Sequence, residues 1–344
     1  MAMGPFLRTS KTVTGATFII FCQLSVTSFI FPTSSASSRN IHHITTTSMG
    51  PLENLCATSL RACDLMTPLI ASIYKELILS AANSGVVKKV KKDNSAFTIA
   101  DGTVQRLLIN CLFSNVGFRD IVGEEDEAEG EDNDNFVDNN WWYHVQGLTI
   151  PKHMQPLVDT TRNQIETLAK DLLASNDYEA YYETLTVFID PIDGTREFSS
   201  GKGEQCSICI GFADEHGKAI AGVVYRPLSK SAPTWVTGAK SEGYSDYNFG
   251  EDEGHSATST ALLSTNGSIS PFLEKLLEEL DVPRIKSGGA GNKMMMLLEQ
   301  SISTTKKEDS SGIHHHLYIQ VSFFSIIHLT CVLRQYHSYE HLFY

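Results

Sequence analysis

Basic residues are scarce in this chain of 344 residues, which has 27 Lys and Arg against 40 Asp and Glu and a net charge of -13. Binding to a nucleic-acid backbone needs clustered Lys and Arg, so this balance argues against a nucleic-acid partner. Hydrophobic residues make up 42% of the chain, which is ordinary for a folded globular protein. We therefore expect an acidic protein with a buried core.

Cysteine is also sparse, and the seven cysteines are scattered along a chain too long to need disulfides for stability. We expect them to be reduced. Cys206 and Cys209 form a C-x-x-C pair, but they lie in an apolar strand-like run with no second pair to complete a zinc site. Buried strand thiols are therefore favoured over redox or metal chemistry.

Long apolar runs are lacking as well. The stretch 16–26 is too short to span a membrane, and the apolar segment 319–333 is both short and interrupted by polar residues, so no stable membrane span is predicted.

The first 49 residues differ in composition from the rest. Lys11 precedes the apolar stretch 16–26, small residues follow at 27–28, and a Ser/Thr-rich segment then has no acidic residue until Glu53. This order resembles the bipartite presequences that direct proteins into complex plastids, with Phe29 behind the signal cleavage point. We expect plastid import. The alternative is that translation begins at Met49 and gives a cytoplasmic product.

Apolar residues recur at helical spacing in several stretches. From 52 to 82 they predict one or two packed helices, interrupted by Pro68. Further helices are predicted over 104–113, 155–175 and 272–280.

Strand patterns alternate with these helices. Residues 120–122 predict a short strand that runs into an acidic segment, where eight of the thirteen residues 123–135 are Asp or Glu. An apolar, β-branched run ending at Ile189 predicts a second strand. Residues 206–213 and 219–227 predict a hairpin of two buried strands.

The stretch VFIDPIDGTREF at 187–198 sets two carboxylates, Asp190 and Asp193, around a proline. Both can meet one Mg²⁺ ion only if the backbone turns sharply between them, and Pro191 helps to fix such a turn. The turn would also aim the carbonyl of Ile192 outward as a further ligand. The alternative is an acidic turn without a metal.

The residues that follow suit a phosphate. Gly194 permits close backbone approach, and Thr195 is expected to open a helix as its N-cap, leaving free amides that favour an anion. Two other acidic positions follow predicted strands, Asp101 and the GEED run at 123–126. Together these carboxylates favour a metal site over a simple acidic turn.

These motifs resemble the inositol monophosphatase superfamily of lithium-sensitive, magnesium-dependent phosphomonoesterases. The family's GEE motif stands here at 123–125 and its D-P-[IL]-D-[GS]-T motif at 190–195, in a resemblance that covers residues 55–300. It implies an α+β fold, a layered α/β/α/β sandwich of the sugar-phosphatase type. The phosphatase domain would occupy 50–312, between a presequence over 1–49 and an atypical tail over 313–344.

The resemblance also implies the roles of the site residues. Two or three Mg²⁺ ions would be held by Glu124, Asp190, the Ile192 carbonyl and Asp193. Asp101 and the Thr195 hydroxyl would orient or deprotonate the attacking water, which is consistent with the lowered pKa of a metal-bound water. The residues implied to contact substrate are Gly194, Thr195, Gly289, Ala290, Asn292 and Lys293.

Three features favour particular branches of the family. The R-E-F at 196–198 and the G-G-A-G-N-K at 288–293 resemble the 3'(2'),5'-bisphosphate nucleotidases, whereas the long insertion between Glu124 and Asp190 is more similar to the inositol polyphosphate 1-phosphatases. The stretch 264–270 has no histidine where nucleotidases often carry Ser-His-Ser. A nucleotidase acting on adenosine 3',5'-bisphosphate is favoured, an inositol phosphate substrate stays the alternative, and a homodimer, as in several relatives, is left open.

One expected motif is missing. The family places a further metal-binding Asp in a W-D motif after G-A-G-N-K, but this chain has no Trp after Trp235 and its only Asp after Lys293 is Asp309. The second metal site is therefore expected to be incomplete and the C-terminal part of the domain truncated or replaced. An inactive relative is the alternative of another class.

Overall fold

The structure is a computed structural model, and it describes residues 49–79, 88–90, 96–125, 139–174, 178–250 and 262–308. The predicted presequence before Met49 and the predicted tail lie outside the described residues, as does most of the acidic segment. Within the described ranges, no helix combines the length and the apolar character that crossing a membrane requires.

Helices and strands alternate along the described ranges, as the sequence predicts. The helices are α1 (Pro51–Leu79), α2 (Ile99–Arg106), α3 (Gln155–Ala174), α4 (Glu179–Tyr182), α5 (Thr195–Ser199), α6 (Pro271–Glu279) and α7 (Ala290–Glu308), and a π-helical segment, Leu107–Phe113, continues α2. The strands are β1 (Lys88–Val90), β2 (Ala96–Thr98), β3 (Asp120–Gly123), β4 (His144–Val145), β5 (Leu148–Thr149), β6 (Thr186–Asp193), β7 (Ser207–Ala213), β8 (Ala219–Arg226), β9 (Thr234–Ala239), β10 (Tyr244–Asn248), β11 (Leu262–Ser264) and β12 (Arg284–Lys286).

A six-stranded sheet with the order β10-β9-β8-β7-β6-β3 forms the centre of the molecule. Its neighbouring strands run antiparallel except for β3 and β6, which are parallel. The predicted hairpin is confirmed as β7 and β8, and every residue of β7 is buried. Both faces of the sheet are covered, which explains why these strands are almost continuously apolar.

Side chains of the central strands alternate between two hydrophobic clusters, as the period of a β-strand requires. On β6, Val187 and Ile189 belong to the larger cluster with α1, α2 and α3, whereas Phe188 belongs to the smaller cluster with Met295 and Leu298 of α7. The sheet therefore separates two helical layers. Three two-stranded sheets accompany it in the described residues, and the one formed by β11 and β12 is parallel. The α+β architecture expected from the resemblance is confirmed.

Helix α1 is a single helix, although Pro68 lies inside it. A proline removes one backbone hydrogen bond and normally kinks a helix. Here the buried face continues across the proline through Met66, Leu69 and Ile70, each 0% exposed. The hydroxyl of Thr67 also donates to the Cys63 carbonyl at 3.0 Å, next to the interrupted bond. Of the one or two helices predicted, the structure has one, and packing and local hydrogen bonding hold it together across Pro68.

Strand β6 extends beyond the predicted end at Ile189. It runs to Asp193, with a shift in its register against β7 between Asp190, opposite Cys209, and Asp193, opposite Ser207. The sharp turn expected at Pro191 is therefore a bulge within a strand. A bulge re-aims side chains without ending the pairing, which suits a functional edge.

Candidate functional site

The parallel strands β3 and β6 bring two predicted acidic ligands to the same edge of the sheet. Gly123, the last residue of β3, lies opposite Ile189 of β6, and the Glu124 amide donates to the Ile189 carbonyl at 3.0 Å. Glu124 and Asp190 are therefore the residues that directly follow the paired residues Gly123 and Ile189. Glu124 is exposed and Asp190 half-buried.

The two glutamates of the GEE motif face in opposite directions. Glu125 is 5% exposed, and its backbone is held by Gln105, which accepts from the Glu125 amide at 2.9 Å and donates to its carbonyl at 2.6 Å. A Cβ atom on Gly123 would lie 2.4 Å from the Gln105 side-chain amide, so a larger residue there would displace the Gln105 side chain. Gln105 thus fixes the end of β3 and leaves Glu124 facing outward.

Asp101 and Thr195, which the resemblance assigns to the attacking water, meet across the site. The Thr195 hydroxyl donates to Asp101 Oδ1 at 2.8 Å. The other oxygen of Asp101 accepts from the amide and hydroxyl of Thr98, in a capping box at the start of α2. Burial raises the pKa of Asp101 to about 7, the Thr98 hydrogen bonds oppose this, and the charge of Glu125 adds to it.

Thr195 does not cap α5, which corrects one expectation. The helix begins at Thr195 itself, and the capping position is Gly194, which has a φ of 95° and provides no side-chain cap. The Thr195 hydroxyl is directed instead toward Asp101 and toward the Ile192 carbonyl, which lies 3.0 Å away. That carbonyl therefore faces the Thr195 hydroxyl at the edge of the site.

Asp193 contacts the first turn of α7. Its Oδ1 accepts from the Ala290 amide at 2.9 Å, and its Oδ2 accepts from the Gly291 amide at 2.6 Å and from the Ser207 hydroxyl at 3.0 Å. Burial raises the pKa of Asp193, and these three hydrogen bonds oppose that shift. In this structure the carboxylate acts as an acceptor for the start of a helix.

Two glycine turns face each other beside Asp193. Gly194 and Gly289 have φ values of 95° and 64°, which only glycine adopts without strain. A Cβ atom on Gly194 would lie 3.4 Å from the Gly289 Cα atom. The structure therefore brings the two motifs, DGT and GGAG, close together.

The two remaining predicted substrate contacts differ in exposure. Asn292 is 2% exposed, and its side chain donates to Ser287 Oγ at 2.7 Å and accepts from Arg226 at 3.2 Å. Arg226 also donates to Thr234 and Glu299, so it ties the end of β8 to α7. Asn292 thus faces the interior, whereas Lys293 is half-buried on the first turn of α7.

Several residues of the site were not predicted from the sequence. Gln105 holds the backbone of Glu125, and Ser207 and Arg226 contact Asp193 and Asn292, respectively. Gln205 contacts the Gly288 amide, and Asn266 contacts Gln205 and Glu197. Single amide and hydroxyl side chains carry no recognisable spacing. Asn266 lies in the stretch 264–270 that the sequence comparison within the family singled out, but nothing there indicated its contacts.

Cys206 and Cys209 are buried, free thiols, as predicted. Cys206 donates to the Gly194 carbonyl at 3.2 Å, and burial raises its pKa, so the thiol supports the turn in its neutral form.

The donor atoms test whether a magnesium site fits here. Glu124, Asp190 and the Ile192 carbonyl offer hard oxygen atoms on neighbouring strands, which suits one Mg²⁺ ion. Asp193 is directed to α7, and the described residues contain no group of three or more His, Cys, Asp or Glu side chains that could hold a metal. The donor set thus fits one cation in chemistry, and the role of Asp193 as a metal ligand stays a prediction.

Comparison with protein families gives one match that spans the site. A model of the inositol monophosphatase family matches residues 59–310, a range that contains every site residue named above.

Curated proteins and solved structures give weaker similarities. The chain is 26% identical over 168 residues to 3'(2'),5'-bisphosphate nucleotidase 1 of Mus musculus, covering 46% of each chain. It is 30% identical over 131 residues to 3'(2'),5'-bisphosphate nucleotidase 1 of Dictyostelium discoideum, covering 32% of this chain and 40% of that protein. The chain thus matches less than half the length of these relatives. Extragenic suppressor protein suhB from Bartonella henselae aligns at 14% identity with a TM-score of 0.43, over 71% of this chain and 74% of that chain.

Proposed function

The chain belongs to the inositol monophosphatase family, and we propose that it is a Mg²⁺-dependent phosphomonoesterase acting on a small bisphosphorylated substrate. The favoured activity is that of a 3'(2'),5'-bisphosphate nucleotidase, which converts adenosine 3',5'-bisphosphate to AMP. The names of the curated relatives and the GGAGNK loop support this choice.

The contact between Thr195 and Asp101 is the observation that carries the proposal. The single proton of the Thr195 hydroxyl has two acceptors, Asp101 Oδ1 at 2.8 Å and the Ile192 carbonyl at 3.0 Å. The lone pairs of Thr195 Oγ1 therefore stay available to accept a hydrogen bond from water. The pKa of Asp101 is raised to about 7, so its carboxylate can take up a proton near neutral pH. The pair is therefore suited to orient a water molecule and to accept its proton.

Glu124, Asp190 and the Ile192 carbonyl would hold the cation beside this pair. When bound, Mg²⁺ would neutralise charge on the phosphate and lower the pKa of a nearby water. Asp193 would join these ligands only in competition with its hydrogen bonds to Ala290 and Gly291.

The test is phosphate release by the full-length protein with Mg²⁺, from adenosine 3',5'-bisphosphate, inositol 1,4-bisphosphate and inositol 1-phosphate. We expect turnover of the nucleotide. Thr195→Val keeps the side-chain shape but removes the hydroxyl, and it should lower kcat about 10²- to 10⁴-fold. Thr160→Val is the matched control, because Thr160 is exposed on α3 and its hydroxyl donates only to its own helix, at the Pro156 carbonyl.

The same substrates distinguish the alternatives. The insertion between β3 and β6, which includes α3, favours an inositol polyphosphate 1-phosphatase as the second candidate, and preferred release from inositol 1,4-bisphosphate would support it. The missing W-D motif favours an inactive relative. Absence of release from all three substrates would refute the phosphatase proposal.

A further inference from the structure

We propose that Gln205 is a positioning residue whose side chain, oriented by Asn266, holds the glycine loop 288–291 against the turn at 193–195. Its kinetic consequence rests on the proposed function, whereas its structural consequence does not. Gln205 lies between α5 and β7, and it contacts both glycine turns of the site.

The hydrogen bonds of Gln205 have defined directions. Gln205 Oε1 accepts from the Gly288 amide at 2.8 Å and from Asn266 Nδ2 at 2.8 Å. A backbone amide can only donate, so the Gln205 atom that faces Gly288 must be the oxygen. Gly288 is buried, and loss of that oxygen would leave its amide without this acceptor away from water.

Asn266 orients Gln205 and ties it to the helix after the DGT turn. Besides its bond to Gln205, Asn266 Nδ2 donates to Glu197 Oε1 at 2.9 Å. Glu197 is 9% exposed and lies on α5, two residues after Thr195. The hydrogen-bonded series Glu197, Asn266, Gln205 and Gly288 therefore links α5 to the glycine loop, and Asn266 lies more than 60 residues from both Glu197 and Gln205 in the sequence.

The glycine loop is closely packed against Gln205 and Glu197. A Cβ atom on Gly289 would lie 2.7 Å from the Gln205 carbonyl, and one on Gly194 would lie 3.2 Å from the same oxygen. A Cβ atom on Gly288 would lie 2.0 Å from Glu197. The loop is thus in direct contact with Gln205 on one side and Glu197 on another, so these residues set its distance from the DGT turn.

Loss of the Gln205 hydrogen bond is expected to affect substrate binding alone. Gly289 and Ala290 are predicted substrate contacts, and they follow the amide that Gln205 holds. Asp101 and Thr195 contact each other directly and need no help from Gln205. Loss of the Gln205 oxygen should therefore weaken substrate binding while the proton-accepting pair stays intact.

The test compares Gln205→Met, which keeps the length of the side chain but removes the acceptor, with Gln205→Glu, which restores an acceptor. Gln155→Met on α3 is the matched control, since Gln155 donates only a weak bond at 3.4 Å to the Ile150 carbonyl. Hydrogen exchange of a peptide covering 287–292 is measured in the full-length protein, together with KM and kcat for adenosine 3',5'-bisphosphate. Asn266→Ala is the second variant in case Gln205→Met does not fold.

In Gln205→Met we expect exchange of the loop and KM both to rise about three- to tenfold, the effect of one hydrogen bond, with kcat within about twofold of wild type. Gln205→Glu should return the loop exchange toward wild type, because its carboxylate can accept from the same Gly288 amide. Gln155→Met should leave both the loop exchange and KM unchanged. Unchanged loop exchange, faster exchange spread over the whole chain, or a loss confined to kcat would overturn the proposal. If the protein releases no phosphate, the proposed function fails, and the loop exchange alone decides whether Gln205 positions the loop.

Discussion

The carboxylate of Asp193 joins β6 to the first turn of α7, so Asp193→Ala should lower the free energy of unfolding. The variant loses the acceptor for Ala290 and Gly291, whose amides lie 2.9 and 2.6 Å from it. Loss of a helix-capping acceptor typically costs about 1 kcal/mol. The Asp193→Ala variant also loses the hydrogen bond from the Ser207 hydroxyl. Because Ser207 is 0% exposed, this loss adds about 1 kcal/mol to the cost.

An opposing contribution reduces this cost. Burial raises the pKa of Asp193, which means that the folded protein bears a desolvation penalty for the charged carboxylate. The alanine variant no longer bears that penalty. We therefore expect a net loss of about 1–2 kcal/mol, which for a domain of this size lowers Tm by about 2–8 °C.

Urea denaturation followed by circular dichroism, with EDTA present so that no cation contributes, measures this loss. Asp193→Asn keeps one acceptor oxygen and should lie between wild type and Asp193→Ala. Asp171→Ala, at an exposed position on α3, is the control for loss of a surface charge. If Asp193→Ala and Asp171→Ala have the same free energy of unfolding, the capping contact contributes no stability and the reasoning fails.

Two further predictions are tested by the same urea denaturation. Burial raises the pKa of Asp101 from 3.8 to about 7, so the stability that its protonated form contributes is full below pH 3.8 and is lost as pH rises through 7. Between pH 4 and 7.5, the free energy of unfolding of wild type should fall by as much as about 4 kcal/mol more than that of Asp101→Asn. Parallel profiles of stability against pH would contradict this. Glu242 accepts hydrogen bonds from the amides of Leu52 and Glu53 at 3.0 and 2.8 Å. Glu242→Ala should therefore lower the free energy of unfolding by about 1 kcal/mol. An unchanged denaturation midpoint would exclude Glu242 as a cap of α1.

Features that depend on neighbours in the chain were predictable from the sequence. The hairpin β7–β8 follows from two apolar, β-branched runs around a turn, and α3 follows from apolar spacing over 155–175. The motifs GEE and DPIDGT are contiguous, so they can be identified without a structure, and with them the family. The resemblance implied a shared role for Thr195 and Asp101, but only the structure shows their contact, because 94 residues separate the pair.

Local rules misled where a tertiary contact offered a better partner. Thr195 has the right residue type for an N-cap, but its hydroxyl faces a buried carboxylate across the site and Gly194 takes the capping position. Pro68 has the right residue type to divide a helix, but the apolar face of α1 is buried on both sides of it. In each case, packing against distant segments outweighed a local preference.

The sequence by itself determined which residues are candidates for the chemistry, because carboxylates, glycines and a hydroxyl in short motifs can be identified from their order in the chain. Only the tertiary structure decided how they are held. Asp193 meets Gly291 across 98 residues, Gln205 meets Gly288 across 83, and Arg226 meets Asn292 across 66. Amides, guanidinium groups and carboxylates have many possible partners, and burial in one arrangement of strands and helices selects among them, since a buried polar group left without a partner is costly.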